Sequence, residues 1–459
     1  MTRRTFAKRS RLEASADEVY RWHARPGALE RLSPPWDPPT VESRTGGIDD
    51  PGARVVLRVG PFRQRWVAEH HGAVPGREFH DRQVSGPFAL WEHAHRMAPE
   101  VENACALEDR IEYALPAGRL GDLLGRRAVH ALLDRMFAYR HRVTADDLAA
   151  HAACREGNPM KVAITGASGL LGSALVPFLT TGGHEVVRLV RRAPRAKDEA
   201  RWNPDAGEID ATALEGVDAV VHLAGENIAG GRWTDARKAL LRSSRVGSTA
   251  LLARTLAGLK KKPKVLVSAS AIGYYGNRGD TWVTERDAPA DDFLGRLSVE
   301  WEAAAEPARK AGIRVVHPRM GVVLSPAGGA LGKILLPFKA GLGGVVGPGT
   351  QYMSWIALDD LLGVVHHLLD HADLEGPVNA SSPEPVTNAE FTKTLGRVLG
   401  RPTIASVPAF ALRLTLGEMA DAALLSSTRV RPERLQASGY RFRFPDLEGA
   451  LRHVLGKTT

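Results

Sequence analysis

The chain has 459 residues, of which 44% are hydrophobic and 25% charged. That balance is globular and excludes a wholly disordered chain, a collagen and a coiled-coil rod, and the length calls for two or more domains. The formal net charge of +9 raises the question of nucleic acid, but no basic run exceeds three residues and none is interleaved with aromatics, so a mixed solvated surface is the better reading.

The N-terminal stretch MTRRTFAKRSRLEAS has basic residues without an apolar run after them, so no secretory signal is expected. Two cysteines cannot make a disulfide scaffold and fit a reducing, cytoplasmic setting. After a first strand, Ser15, Ala16, Asp17 and Glu18 form a capping-box pattern. A helix with Val19, Trp22, Ala28 and Leu29 should follow, broken around Pro26-Gly27 and ended by Pro34-Pro35-Trp36. Strand-like runs come next at 53–59, 64–68, 79–84, 90–97 and 110–115, then a long helical stretch from Leu120 to Ala150. Antiparallel strands closed by one long helix make an α+β unit whose sheet can curl around an apolar cavity. His93 and His95, two apart on a strand, face one side with Trp91. No third ligand at a defined spacing accompanies them, so no metal site is expected.

The pieces RPGALERLSPPW, VSGPFALWEHAHRM and EDRIEYALP resemble the START-like, polyketide-cyclase-type domain found upstream of certain epimerase-like proteins. The resemblance implies a helix-grip fold over residues 1–150 and an apolar small-molecule ligand.

Residues 151–159 read as a linker, and at Met160 a domain begins afresh. The charge divides unevenly here, +2 over residues 1–158 and +7 over the rest. A buried strand, Val162 to Thr165, runs into Gly166, Ala167, Ser168, Gly169, Leu170, Leu171 and Gly172. Gly166 permits the tight turn, Gly169 lets a pyrophosphate approach the backbone, and Gly172 lets the helix lie close to the strands. The helix N-terminus offers N–H groups to the phosphates. Pro177 falls inside that helix and should kink it. The next strand, His184 to Val190, ends in Arg191 and Arg192 where an NAD site usually has a carboxylate. A guanidinium pairs with a 2′-phosphate, so NADP(H) is expected and NAD is less favoured.

Further βα units follow, with strands at Asp218–Leu223, Val265–Ser268 and Ile313–Val316. Their alternation with helices predicts a doubly wound parallel α/β sheet of the Rossmann type. Leu223, Ala224, Gly225 and Ser268 should meet the cofactor, and Ser270 and Arg319 should share the same rim. The segment 330–347 contains Lys333, Pro337 and Lys339, so it is not a spanning helix.

The segments HLAGENIAGGRW, SSRVGST, SASAIGYYG, FLGRLSVEWEAAA and MSWIALDDL resemble the epimerase-like proteins of the extended short-chain dehydrogenase/reductase superfamily. The tail from Val407 resembles the domain of unknown function that follows their Rossmann core. The resemblance divides the second part into a core at 160–400 and a terminal domain at 401–459 packed on it. It also implies an active site of Asn, Ser, Tyr and Lys. Of these only Ser270 matches: Arg245 stands at the Asn position, and Leu294 and Ser298 fall near the Tyr and Lys positions. None of the seven tyrosines has Lys four residues later, the spacing that places both on one helix face. Tyr274 or Tyr275 is then a substitute acid, its pKa lowered by Arg245 or Arg278, and Glu226 a substitute base. Asn227, Arg232, Trp233, Arg245, Arg319 and Trp355 are candidates to shape a substrate pocket. Two functions stay open: an NADP(H)-dependent epimerase- or reductase-like enzyme of unknown small-molecule substrate, or a non-catalytic NADP(H) sensor coupled to the upstream domain. Neither implies a nucleic-acid or membrane partner.

Overall fold

A computed structural model describes residues 2–153 and 158–457. They divide into two compact units, essentially residues 2–153 and 158–454.

The first unit is a seven-stranded antiparallel sheet with three helices. The strand Arg4–Leu12 pairs with Ala104–Ala114, and the sheet then runs back strand by strand to Thr40–Arg44 at the far edge. That edge strand escaped the sequence reading because all five of its residues are exposed, which leaves no inside–outside alternation to detect. The helix Ala16–Ala24 starts as expected, with the Ser15 hydroxyl accepting from the Glu18 N–H. The box is only half made, because the Glu18 carboxylate turns to Arg21 and Arg25. Gly27, at φ 97°, then takes the left-handed turn that separates a second short helix. The long helix runs from Gly118 to Ala152, so the first two residues of the expected linker are helical, and residues 154–157 lie outside the described residues.

The interior of this unit holds two apolar clusters. One gathers Trp22, Phe79, Met97, Leu107 and Leu148, and the other Phe6, Trp91, Ile111 and Phe137. Cys105 is fully buried beside the first cluster, and burial pushes its thiol up to about 11. The interior is not wholly apolar: Asp109, His93, His95 and His141 are all buried between sheet and long helix. The two rings at 93 and 95 lie only 3.8 Å apart between centroids.

The second unit is the expected doubly wound sheet. Its parallel strands run in spatial order Glu199–Asn203, Glu185–Val190, Lys161–Thr165, Ala219–His222, Val265–Ser268, Arg314–Met320 and Gly376–Ala380. The central strands are buried along their length, as a sheet covered on both faces requires. The strand order reverses between Lys161–Thr165 and its neighbours, and ligands of such sheets bind at that switch point. Pro177 lies within the helix Leu170–Thr181, which continues past it. Residues from 401 to 454 belong to the same unit. They are tied to it by Thr428, whose hydroxyl donates to the Gly276 carbonyl, and by the Tyr440 hydroxyl, which donates to the Asp360 carbonyl. Among the described residues no helix is long and apolar enough to cross a membrane.

Candidate functional site

The site is built at the carboxyl ends of the central strands. Gly166 has φ 70°, and a Cβ there would lie 2.9 Å from the Ala224 nitrogen. The turn after the first strand and the chain after Ala219–His222 can approach this closely only because position 166 is glycine. A Cβ on Gly172 would lie 2.2 Å from the Gly166 carbonyl oxygen, so the helix also needs glycine there. At exposed Gly169 the nearest atom would be 3.3 Å away, so that backbone is left open to an incoming group. Ser168 is exposed on the same turn, and Leu170 is the first helical residue after it.

Thr165 joins the two strand ends. Its hydroxyl oxygen accepts from the N–H groups of Leu223 and Ala224, at 3.1 and 3.2 Å. Its one proton therefore goes to Nδ1 of His222, 2.7 Å away. That assigns the ring proton to Nε2, which donates to the Thr249 hydroxyl at 3.0 Å. His222 is thus held neutral, and burial lowers its pKa to about 4. A folded-state value below the unfolded one near 6.5 means that stability is full above about pH 6.5 and is lost as pH falls toward 4. The loss expected from this group alone is about 3 kcal/mol. His222→Asn should flatten the dependence by that share in urea titrations between pH 4 and 7.

Ser268 is fully buried at the end of the next strand, paired in register with His222. Arg191 is exposed. Arg192 donates two hydrogen bonds to Glu199, at 2.8 and 2.6 Å, and a further backbone N–H from Arg195 helps hold that carboxylate down to about 2. Arg192 therefore has a carboxylate partner already in place.

Two residues past that strand, the buried Ser270 hydroxyl donates to Glu302 at 2.7 Å. Arg319 clamps the same carboxylate with bonds of 2.8 and 2.9 Å. Burial opposes ionisation of Glu302, but the Arg319 charge overrides it and keeps the carboxyl below its ordinary range. Arg319 also donates to the Tyr275 hydroxyl at 3.0 Å, and that hydroxyl donates to the Asn379 side-chain oxygen at 2.7 Å. The Arg319 guanidinium lies 3.4 Å above the centre of the half-buried Tyr274 ring. Ser270, Arg319, Tyr274 and Tyr275 are therefore brought together.

Several expectations need correction. Tyr275 is fully buried, and burial pushes its hydroxyl up to about 12, so it is not an acid with a lowered pKa. Arg278, expected to lower a tyrosine pKa, instead donates to the backbone carbonyls of Tyr275 and Ala288. Arg245 lies elsewhere, bonded to the carbonyls of Leu241 and Glu226 and set over the Trp301 ring. Glu226 pairs with Arg237. Trp355 is fully buried with its indole N–H on the Glu384 carbonyl, so it lines no pocket. Trp233 packs among Leu241, Leu297 and Met419, with its N–H on the Ile228 carbonyl. Asn227 is exposed and closes a local turn on Ala229. Gly225 sits against Arg245, which would be 3.6 Å from a Cβ there.

Sequence reasoning missed Glu302, Asn379 and the π-helical turn Ser243–Gly247 that carries Arg245. The signal for Glu302 was its place one helical turn after Ser298. It was also missed that the sheet register supplies the histidine pair with partners, since Asp81 lies opposite His93 and Asp109 opposite His95.

An epimerase family protein of Mycobacterium bovis is 47% identical over 293 residues, 64% of this chain and 97% of its own. The chain belongs to the epimerase family. Residues 162–380 match the NAD dependent epimerase/dehydratase family, residues 12–137 the family of polyketide cyclases, dehydrases and lipid transport, and residues 407–454 a domain of unknown function. The crystal structure of a nucleoside-diphosphate sugar epimerase from Corynebacterium glutamicum superposes with a TM-score of 0.81 at 33% identity, over 98% of this chain and 90% of that one. The human epimerase family protein SDR39U1, solved with NADPH, matches 64% of this epimerase-family chain and 99% of its own at 35% identity, with a TM-score of 0.60.

Proposed function

We propose that this epimerase-family protein is an NADP(H)-dependent oxidoreductase or epimerase for a small molecule, with a non-standard acid/base group. The nucleotide would lie on Gly166, Ser168, Gly169, Leu170 and Gly172, and along Leu223, Ala224, Gly225 and Ser268. Arg191 and Arg192 would meet the 2′-phosphate, with Arg192 turning from Glu199. The NADPH bound by the human relative supports this choice. A cytoplasmic setting fits such a cofactor.

The observation that carries the catalytic reading is the buried Ser270 hydroxyl donating to a carboxylate that Arg319 holds below its ordinary range, just past the carboxyl end of the strand Val265–Ser268. Ser270 would hold a substrate oxygen. The ionised Glu302 would accept the proton of a substrate hydroxyl through Ser270 during oxidation, and in the reverse direction it would pass back a proton first taken up from solvent, in place of the missing Tyr–Lys pair. Tyr274, the partly exposed ring on Arg319, would border the substrate. The test is NADPH oxidation with a panel of carbonyl compounds, and NADP⁺ reduction with UDP-glucose. Ser270→Ala should lower kcat by about a hundredfold or more while leaving the Kd for NADPH unchanged. Equal rates in wild type and variant would sink the assignment.

The sealing of Tyr275 by Arg319 and Asn379 favours a second reading, a nucleotide-binding protein without turnover. NADPH would then raise Tm strongly, NADH weakly, and no substrate would be consumed.

A further inference from the structure

The buried imidazoles of the first unit take no part in the reading above. His93 and His95 sit at positions i and i+2 of one strand, so their rings project from the same sheet face. The neighbouring strand brings in Asp81, and a single oxygen of its carboxylate lies 3.1 Å from Nδ1 of His93 and 3.2 Å from Nε2 of His95. One donor atom from each of the three residues falls within 4.8 Å of the other two. Donors held about 2.0–2.2 Å from one ion at tetrahedral angles lie about 3.3–3.6 Å apart, close to the two distances from the Asp81 oxygen and inside the 4.8 Å span of the set.

The remaining ring nitrogens face the opposite way, toward another carboxylate. One oxygen of Asp109 lies 2.9 Å from Nε2 of His93 and 2.6 Å from Nδ1 of His95. The second Asp109 oxygen is held by Nε2 of His141 at 2.6 Å, and Nδ1 of His141 contacts the Ser10 hydroxyl at 2.9 Å. A metal-bound imidazole characteristically donates its second N–H to a carboxylate, which fixes its tautomer and raises its basicity. Here a single aspartate serves both rings and is itself anchored. Phe79, stacked at 4.1 Å on His95, and Phe137, edge-on to His93, restrict the rings further. The side chains of Asp81 and His95 keep 15% and 10% exposure, against 3% for His93, so the open side of the set is at Asp81.

We propose that the N-terminal unit binds one divalent transition-metal ion of the zinc class on Asp81, His93 and His95, with Asp109 orienting both imidazoles. Two imidazoles and one carboxylate suit zinc, cobalt or iron rather than calcium or magnesium. Three protein ligands leave a position for water or for an oxygen of a ligand in the domain's interior.

The test is titration of the EDTA-treated full-length chain with Co²⁺ and Zn²⁺, followed by visible absorption and calorimetry. His71→Gln and His80→Gln are introduced together beforehand to remove the half-buried histidine pair on the neighbouring strands. One equivalent should bind, with d–d bands of a four- or five-coordinate site and a rise in Tm that EDTA reverses. Asp81→Ala and His95→Gln should abolish it, and Asp109→Asn should weaken it by about 10–100-fold. Absence of binding, or binding that survives Asp81→Ala and His95→Gln, overturns the proposal and leaves the cluster a buried ion-pair network. If a variant fails to fold by circular dichroism, X-ray absorption of the zinc-loaded parent decides. Two imidazoles plus a carboxylate supports the site, and any other ligand set refutes it.

Discussion

Replacing Gly172 by alanine is expected to weaken NADPH binding by about ten- to a hundredfold and to lower stability, whereas Gly169→Ala should weaken binding with little loss of stability. The contrast follows from what a methyl group meets. At 172 it overlaps the Gly166 carbonyl oxygen at 2.2 Å and the Ala167 Cα at 2.7 Å, both backbone atoms that no rotamer change can move. The helix must back away from the turn, and such overpacking costs about 1–3 kcal/mol. Where that displacement spoils the phosphate-binding turn, the same energy appears as about ten- to a hundredfold in Kd. At 169 the methyl meets one oxygen at 3.3 Å and otherwise points outward, into the space assigned to the pyrophosphate. Calorimetric NADPH titration and urea denaturation of the two variants check both halves. Full NADPH affinity in Gly169→Ala would remove the phosphate from that turn.

Glu302→Gln should cost about 3–5 kcal/mol in unfolding free energy, the usual penalty for stripping one partner from a buried ion pair. The Arg319 side chain is only 3% exposed, and Glu302 supplies its only carboxylate partner among the described residues. An amide oxygen at 302 can still accept from Ser270 and from Arg319 Nε, but the amide NH2 then meets Arg319 Nη2 and the guanidinium loses its only counter-charge among the described residues. The double variant Glu302→Gln/Arg319→Met should recover part of the loss, because it removes the stranded charge as well. The urea midpoint of the second unit's transition reads both, and full additivity of the two single changes would show that the pair is not coupled.

These two expectations mark where the sequence was readable. The glycine turn could be found in the sequence because its whole logic is local: a buried strand, three glycines at fixed spacing and a helix. Ser270 could be found because it lies in a short run with a characteristic pattern. Glu302 left only its place one helical turn after Ser298 and Asn379 left no signal, since their partners come from the strand Arg314–Met320 and the loop around Tyr275, 17 and 104 residues away. The tryptophans at 233 and 355 looked like pocket walls, but each spends its N–H on a backbone carbonyl and its ring on the core. Arg192 read as a free cation because its carboxylate partner opens the next strand, a pairing that only the parallel register reveals. In the first unit, the alternation of the strands located His93 and His95, yet which carboxylates oppose them depends on pairing across two neighbouring strands.

The thiol of Cys105 lies sealed in the first unit, with its ionisation held back to about pH 11. A thiol in that state does not meet an aqueous disulfide reagent at neutral pH until the sheet around it opens. Its labelling rate, in a chain carrying Cys154→Ser, is therefore a clock for the opening of the antiparallel sheet alone. Ligands added to the nucleotide turn slow that clock only if the two units exchange free energy, which makes one atom of sulfur a gauge of communication along the chain.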